Sequence, residues 1–324
     1  MAGVFAAITD KKKRAMNMAR FRAWWEGEDF DEATALAELE QAVVEAADGA
    51  SPASAPKTAD KDVEVADALF DDPPTPSPPR FAALQKFWGE GRIMPGDVAA
   101  DAARLARLEL PEAGALAVLG PGLAAPLRAI AETYPGEMIA LEWRADAKAP
   151  LEAALKRLPR DVPLRMIDLD AFAAAAEAFD GVISFDEFTY ADPSALVPAL
   201  AACLKPNARA LIEFYAGHPQ PAIEPAFATA FAEPRLRSAS DLIEGLTHAG
   251  FAIEADEDQT AEHIERGRAG FRHLERALAE ATAADMNVAI LQEIAWEAAA
   301  WRARLKLLQQ RRLERRVIVA RKQS

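Results

Sequence analysis

Cysteine is nearly absent. Cys203 is the only one in 324 residues, which rules out an internal disulfide framework and a CxxC-type zinc site, and fits a reducing compartment. No run of about eighteen uncharged apolar residues occurs, so no membrane-spanning helix is expected. Histidine is scarce too: His218, His248, His263 and His273 form neither an HxH nor an HExxH pattern, and no metal site is expected. Positive charge is outweighed, leaving a formal charge of −14 at pH 7, which repels polyphosphates and argues against nucleic acid as a partner. The short apolar stretch Val4 to Ile8 precedes the basic cluster Lys11 to Arg14, the reverse of a secretory signal's order. The expected location is the cytoplasm.

What is present falls into three segments. Residues 1–49 read as helical, with Phe21, Trp24 and Trp25 ahead of Ala35, Leu36, Leu39, Val43 and Val44 at roughly helical spacing. Residues 50–80 form a Pro/Ser-rich linker ending in Pro73, Pro74, Pro76, Pro78 and Pro79, where repeated loss of the backbone donor prevents regular structure. Tethered in this way, Trp24 and Trp25 are candidates for docking a protein partner. The basic pairs Arg311-Arg312 and Arg315-Arg316 read as a solvated face.

Residues 81–324 alternate between strand and helix. Apolar strands are expected at Leu116 to Leu119, Met138 to Leu141, Leu164 to Ile167, Gly181 to Phe185 and Ala210 to Phe214, with helices at Ala124 to Glu132, Leu151 to Leu158, Ala171 to Ala178 and Leu196 to Leu204. Strands with no wet face, separated by helices, indicate a parallel sheet covered on both sides. A helix opening at Ser240 and stopped by Gly250 leads to a strand from Phe251. One long helical stretch, about Ala261 to Gln310, precedes a last strand at Val317 to Ala320. One of the two final strands is expected to run antiparallel as a sheet edge.

The first strand opens onto Gly120-Pro121-Gly122, and an open parallel sheet binds its ligand at the carboxyl ends of its strands. Turn glycines let a ligand approach the backbone. Glu142 follows Gly122 by twenty residues, directly after the second strand, where a carboxylate can accept both hydroxyls of a ribose. The spacing suits an adenosine cofactor. Ser184 and Cys203 lack the context of a nucleophile elbow, which leaves a hydrolase unsupported.

Several motifs resemble one family. Phe87-Trp88-Gly89-Glu90-Gly91-Arg92-Ile93-Met94-Pro95-Gly96 resembles the lead-in to the cofactor strand in S-adenosylmethionine-dependent methyltransferases acting on small amines. Val118 to Ala124 stands where that family has its glycine loop, Phe179 to Ser184 resembles its fourth strand, Leu204-Lys205-Pro206-Asn207 its turn before strand five, and Ala320-Arg321-Lys322 the end of its last strand. The resemblance covers Phe81 to Lys322. It implies an α/β fold with a seven-stranded, mostly parallel, Rossmann-like sheet in the order 3-2-1-4-5-7-6, strand seven antiparallel.

By the same resemblance the cofactor is S-adenosylmethionine. Gly120 and Gly122 would line its methionine part, Glu142 would hold the ribose, and Asp168 or Asp170 would lie near the adenine amine. Asp186 and Glu187 would face the sulfonium and the acceptor, a small molecule or a protein. His218, past the fifth strand, is a further candidate at the acceptor. Three positions depart from the pattern: Val118 replaces the acid that opens the loop, Pro121 has no N–H, and Ala124 stands for the third glycine. Contacts worth about 2 kcal/mol lost there would weaken binding by roughly thirtyfold. Two readings follow: a methyltransferase, or a catalytically inactive methyltransferase fold serving as a protein-interaction scaffold. An NAD-dependent Rossmann enzyme fits the lead-in and last strand poorly.

Overall fold

The computed structural model describes residues 79–170, 178–217, 236–281 and 287–324. The chain divides into two units, Met1–Pro73 and Pro74–Ser324, and the described residues all belong to the second. The expected N-terminal helices with Trp24 and Trp25, the Lys11 to Arg14 cluster, residues 171–177 of the helix expected after the third strand, and His218 lie outside the described residues.

Seven strands make one sheet: β1 (Ala115–Leu119), β2 (Glu137–Glu142), β3 (Leu164–Met166), β4 (Phe179–Ser184), β5 (Leu204–Gly217), β6 (Phe251–Asp258) and β7 (Leu313–Lys322). Their order is β3-β2-β1-β4-β5-β7-β6. The first five run parallel, and β7 is antiparallel to both β5 and β6. The antiparallel strand is therefore interior, not the edge expected from residue patterning alone; β6 is the edge. In β7, apolar Val317, Ile318, Val319 and Ala320 are buried, which suits a strand paired on both sides.

Among the described residues the α-helices are α1 (Pro79–Trp88), α2 (Val98–Ala106), α3 (Ala125–Ala131), α4 (Lys148–Leu155), α5 (Glu187–Tyr190), α6 (Pro193–Cys203), α7 (Ala239–His248), α8 (Thr260–Glu280) and α9 (Val288–Gln309). Pro79 and Arg80, counted with the linker from composition, belong to α1. Caps fix several starts: Asp97 accepts from the Ala100 N–H, Asp192 from Ser194, and Ser238 and Asp241 form a reciprocal capping box. The long helical stretch is two helices. Asn287 caps the second by accepting from the Ile290 N–H at 3.0 Å, a local bond that competes with helix continuation.

Strand alternation splits the core between the two faces. Ala117, Leu119, Val182, Ile212 and Ile318 pack with Leu196, Leu200, Leu242 and Leu246 of α6 and α7. Leu116, Val118, Ile183, Leu211 and Val317 pack with Leu127 and Ile130 of α3 and Leu151 and Leu155 of α4. Each such side chain contributes about 1.5–3 kcal/mol by leaving water. Helices α8 and α9 pack on α1, where Phe87 meets Phe271 edge to face and Trp88 lies 4.7 Å from Trp301, centroid to centroid.

Candidate functional site

β1 lies between β2 and β4, so their carboxyl ends converge at the point where strand order reverses, the usual ligand position of an open α/β sheet. Gly120 and Gly122 have φ of +60° and +72°, a left-handed backbone that non-glycine residues adopt only with strain. Contacts add a second reason for glycine. A Cβ on Gly120 would sit 1.7 Å from Glu187 Oε1, and one on Gly122 would sit 2.6 Å from Ile93 Cγ1. Ala124 adopts φ +67° directly before α3, so the loop keeps its left-handed third position without its glycine. The lead-in segment closes over this loop: Gly91 donates its N–H to Gln85 and accepts from the Ala125 N–H at 3.0 Å.

Glu142 ends β2 with 0 % of its surface exposed. Its Oε2 accepts from the Gly122 N–H at 3.3 Å, so it faces the glycine loop as its spacing suggests. Its Oε1 accepts from the Trp143 and Arg144 N–H groups, both at 2.9 Å. Arg144 adds a two-point ion pair, Nε to Oε1 at 2.8 Å and Nη2 to Oε2 at 2.9 Å. Burial works against the Arg144 charge, but Glu142 outweighs it and raises the guanidinium's pKa. Sequence reasoning missed this partner, because a pair two residues apart leaves no periodic signal.

Glu187, at the start of α5, is also 0 % exposed. Its Oε2 accepts from the Ser184 hydroxyl at 2.6 Å and the Asp186 N–H at 3.2 Å, while its Oε1, the atom against Gly120, has no hydrogen-bond partner among the described residues. Burial pushes its pKa up, only partly countered by the Ser184 hydroxyl and the Arg144 charge. A buried carboxylate oxygen is ordinarily satisfied by a protein group, a water, an ion or a ligand, and none of the described residues donates to this one.

Asp186 is turned elsewhere. Its Oδ1 accepts from Arg315 Nη1 at 2.6 Å, within a buried chain of alternating charges that runs Arg92, Asp101, Arg104, Glu213, Arg315, Asp186. Arg315, read from composition as part of a solvated face, is 4 % exposed. It lies on the sheet face that carries Val317 and Val319, so strand alternation turns it inward. Arg316, on the opposite face, pairs with Asp256. Within this network burial would raise the Glu213 pKa, but Arg104 and Arg315 prevail and hold it at about 2.

Asp168 and Asp170 follow β3 on the surface, where Asp168 Oδ1 accepts from the Asp170 N–H and Asp170 Oδ1 from the Asp192 N–H. Cys203 is buried and its thiol is pushed up to about 11 by desolvation, which leaves it inert. His263 is buried with its Nε2 at 2.6 Å from the Tyr215 hydroxyl, and burial lowers its pKa well below the usual value. A cleft of about 150 Å³ adjoins the glycine loop, lined by Gly91, Leu123, Ala124, Ala125, Arg128 and Pro150 among others. Small-molecule sites usually hold about 300–1,000 Å³, so this cleft, whose lining includes neither Glu142 nor Glu187, is smaller than a typical ligand site.

The fold is that of the S-adenosylmethionine-dependent methyltransferases. Similar solved structures include the Haemonchus contortus phosphoethanolamine N-methyltransferase 2 in complex with phosphomonomethylethanolamine and S-adenosylhomocysteine, at 19 % identity and TM-score 0.63 over 75 % of this chain and 57 % of that one. A Galdieria sulphuraria protein described as a sarcosine dimethylglycine methyltransferase matches at 12 % identity and TM-score 0.61, covering 75 % and 98 %. The cyclopropane synthase MmaA2 of Mycobacterium tuberculosis matches at 14 % and 0.62, covering 76 % and 97 %. The chain thus spans little more than half the length of the Haemonchus enzyme. No protein-family model and no curated protein sequence matches the chain.

Proposed function

We propose that the chain is an S-adenosylmethionine-dependent methyltransferase acting on a small molecule or another protein. The observation that carries this reading is a pair of buried carboxylates bracketing one glycine loop: Glu142 facing Gly122, and Glu187 with an oxygen against Gly120 that has no partner among the described residues. These residues fit the group that the fold implies. When bound, the cofactor supplies an electrophilic methyl group on a sulfonium. Glu142 would accept the ribose hydroxyls, and Glu187 Oε1 would accept from the α-ammonium, taking over from the loop acid that Val118 replaces. Gly120 and Gly122 would admit the methionine part, and Asp168 or Asp170 the adenine amine.

Asp186 acts in this reading as a positioning residue. Its bond to Arg315 fixes the turn that presents Glu187, and that engagement argues against direct contact with the acceptor. No general base is required of the chain, because aligning an acceptor amine or oxygen behind the methyl group and excluding water suffice for the transfer. A second reading keeps one specific support: both Glu142 oxygens already have partners, as a fold retained for protein interaction through Trp24 and Trp25 would allow.

Calorimetric titration with S-adenosylmethionine separates the two readings. Saturable binding that weakens about thirtyfold or more in Glu142→Ala, the loss of at least one charge-assisted bond, supports the enzyme. No heat at millimolar ligand overturns it in favour of the interaction module.

A further inference from the structure

We propose that Arg144 is a ligand-displaced latch, a side chain that occupies the ribose-binding face of Glu142 until an adenosyl ligand enters, and that must swing away for it to do so. This rests on the reading of Glu142 given above. A guanidinium edge and a vicinal diol make the same demand on a carboxylate, two donors side by side for two oxygens. Arg144 meets that demand with Nε on Oε1 and Nη2 on Oε2, so diol and guanidinium cannot both be bound there.

The local structure lets the latch open without disturbing what lies beneath it. Arg144 is two residues from its partner, and the ion pair ties no distant elements together. Its side chain is 19 % exposed, whereas that of Glu142 is fully buried, so Arg144 is the more accessible partner of the pair. When it leaves, the Trp143, Arg144 and Gly122 N–H groups still hold the carboxylate in place. The acceptor therefore stays oriented while its charge is uncovered. In the closed position the guanidinium also lies 5.1 Å from the centre of the Trp143 ring, which itself packs on Tyr190, so the ring borders the latch. The acidic groups acting on Arg144 are Glu142 first, then Glu187 and Tyr190, and Glu142 is the one its departure uncovers.

Opening such a latch divides the ligand's intrinsic affinity by the closed-to-open ratio. For an open state populated at about 1–10 %, removing the latch tightens binding by roughly ten- to a hundredfold. The test is calorimetric titration of the full chain and its Arg144→Ala and Arg144→Lys variants with S-adenosylhomocysteine and with 5′-methylthioadenosine, which keeps the ribose but lacks the α-ammonium. The expected result is tighter binding of both ligands to Arg144→Ala, by about tenfold or more, with Arg144→Lys in between because a lysine makes one contact where arginine makes two. The ratio of the two affinities should stay as in the wild type, since Glu187 sets it. Equal or weaker binding by a folded Arg144→Ala, alongside clear wild-type binding, overturns the latch and leaves the cofactor reading standing. Should Arg144→Ala not fold, the lysine variant carries the same comparison. No binding by any of the three proteins at millimolar ligand overturns both.

Discussion

Glu213 offers a quantitative test of the buried charge network that holds Asp186, and through it Glu187, in place. Its carboxylate takes Arg104 on both oxygens and Arg315 on Oε2, and the two arginines hold its pKa at about 2 against an ordinary 4.5. Each pH unit of such a difference is worth about 1.36 kcal/mol, so the ionised carboxylate contributes roughly 3 kcal/mol of folding stability. Because the folded pKa is depressed, that contribution is complete above about pH 4.5 and is lost as pH falls through about 2. Glu213→Gln keeps the shape and removes the charge. In urea denaturation the variant should be less stable than the wild type by about 3 kcal/mol at pH 7, within the range for breaking a buried ion pair. The gap should narrow steadily from pH 4.5 downward and fall to about a quarter of its size by pH 2.5, while the denaturant slopes stay equal. Carboxylates that titrate in both proteins cancel from the difference. A gap of the same size at pH 7 and pH 2.5 would show that Glu213 acts through packing rather than charge and would refute the reasoning.

Two further outcomes are expected. Glu187→Gln should raise the melting temperature at pH 8 and leave it unchanged near pH 4, because a buried acid with a raised pKa costs stability only where the unfolded chain would ionise it; the same variant should bind S-adenosylhomocysteine more weakly and 5′-methylthioadenosine equally well. Trp301 of α9, 1 % exposed, should cost about 3–5 kcal/mol when replaced by alanine, whereas Trp296, 47 % exposed on the same helix, should cost no more than its stacking with Arg80, about 0.5–1 kcal/mol, as chemical denaturation of the two variants would report.

The central strands were legible because strands buried on both faces are written as short apolar runs, as at Leu116 to Leu119 and Met138 to Leu141. The start of β5 was not. Lys205-Pro206-Asn207 reads as a turn, yet the strand begins at Leu204 and passes through Asn207 at φ +65° with a register shift against β4. The break between α8 and α9 was hidden by alanine-rich sequence on both sides and became visible only through the Asn287 cap. At the site, the glycine turn and Glu142 followed from spacing along the chain, and Glu142 does face Gly122. What covers them did not. Arg144 acts over two residues, Arg315 arrives from the last strand, and Ile93 packs on Gly122 from the lead-in segment, so none leaves a pattern that a single sequence displays. Motif reading locates a backbone cradle well because the cradle is local, and it misses what fills the cradle because the filling is tertiary.

The most direct measurement is a crystal structure of the protein grown with S-adenosylhomocysteine. The expected result is adenosyl density between Gly122 and Glu142, with the ribose hydroxyls on the carboxylate, the α-ammonium on Glu187 Oε1, and Arg144 turned away from Glu142. Crystals from millimolar ligand that show no such density, with Arg144 still paired to Glu142, would contradict the assignment of Gly122 and Glu142 to a cofactor site.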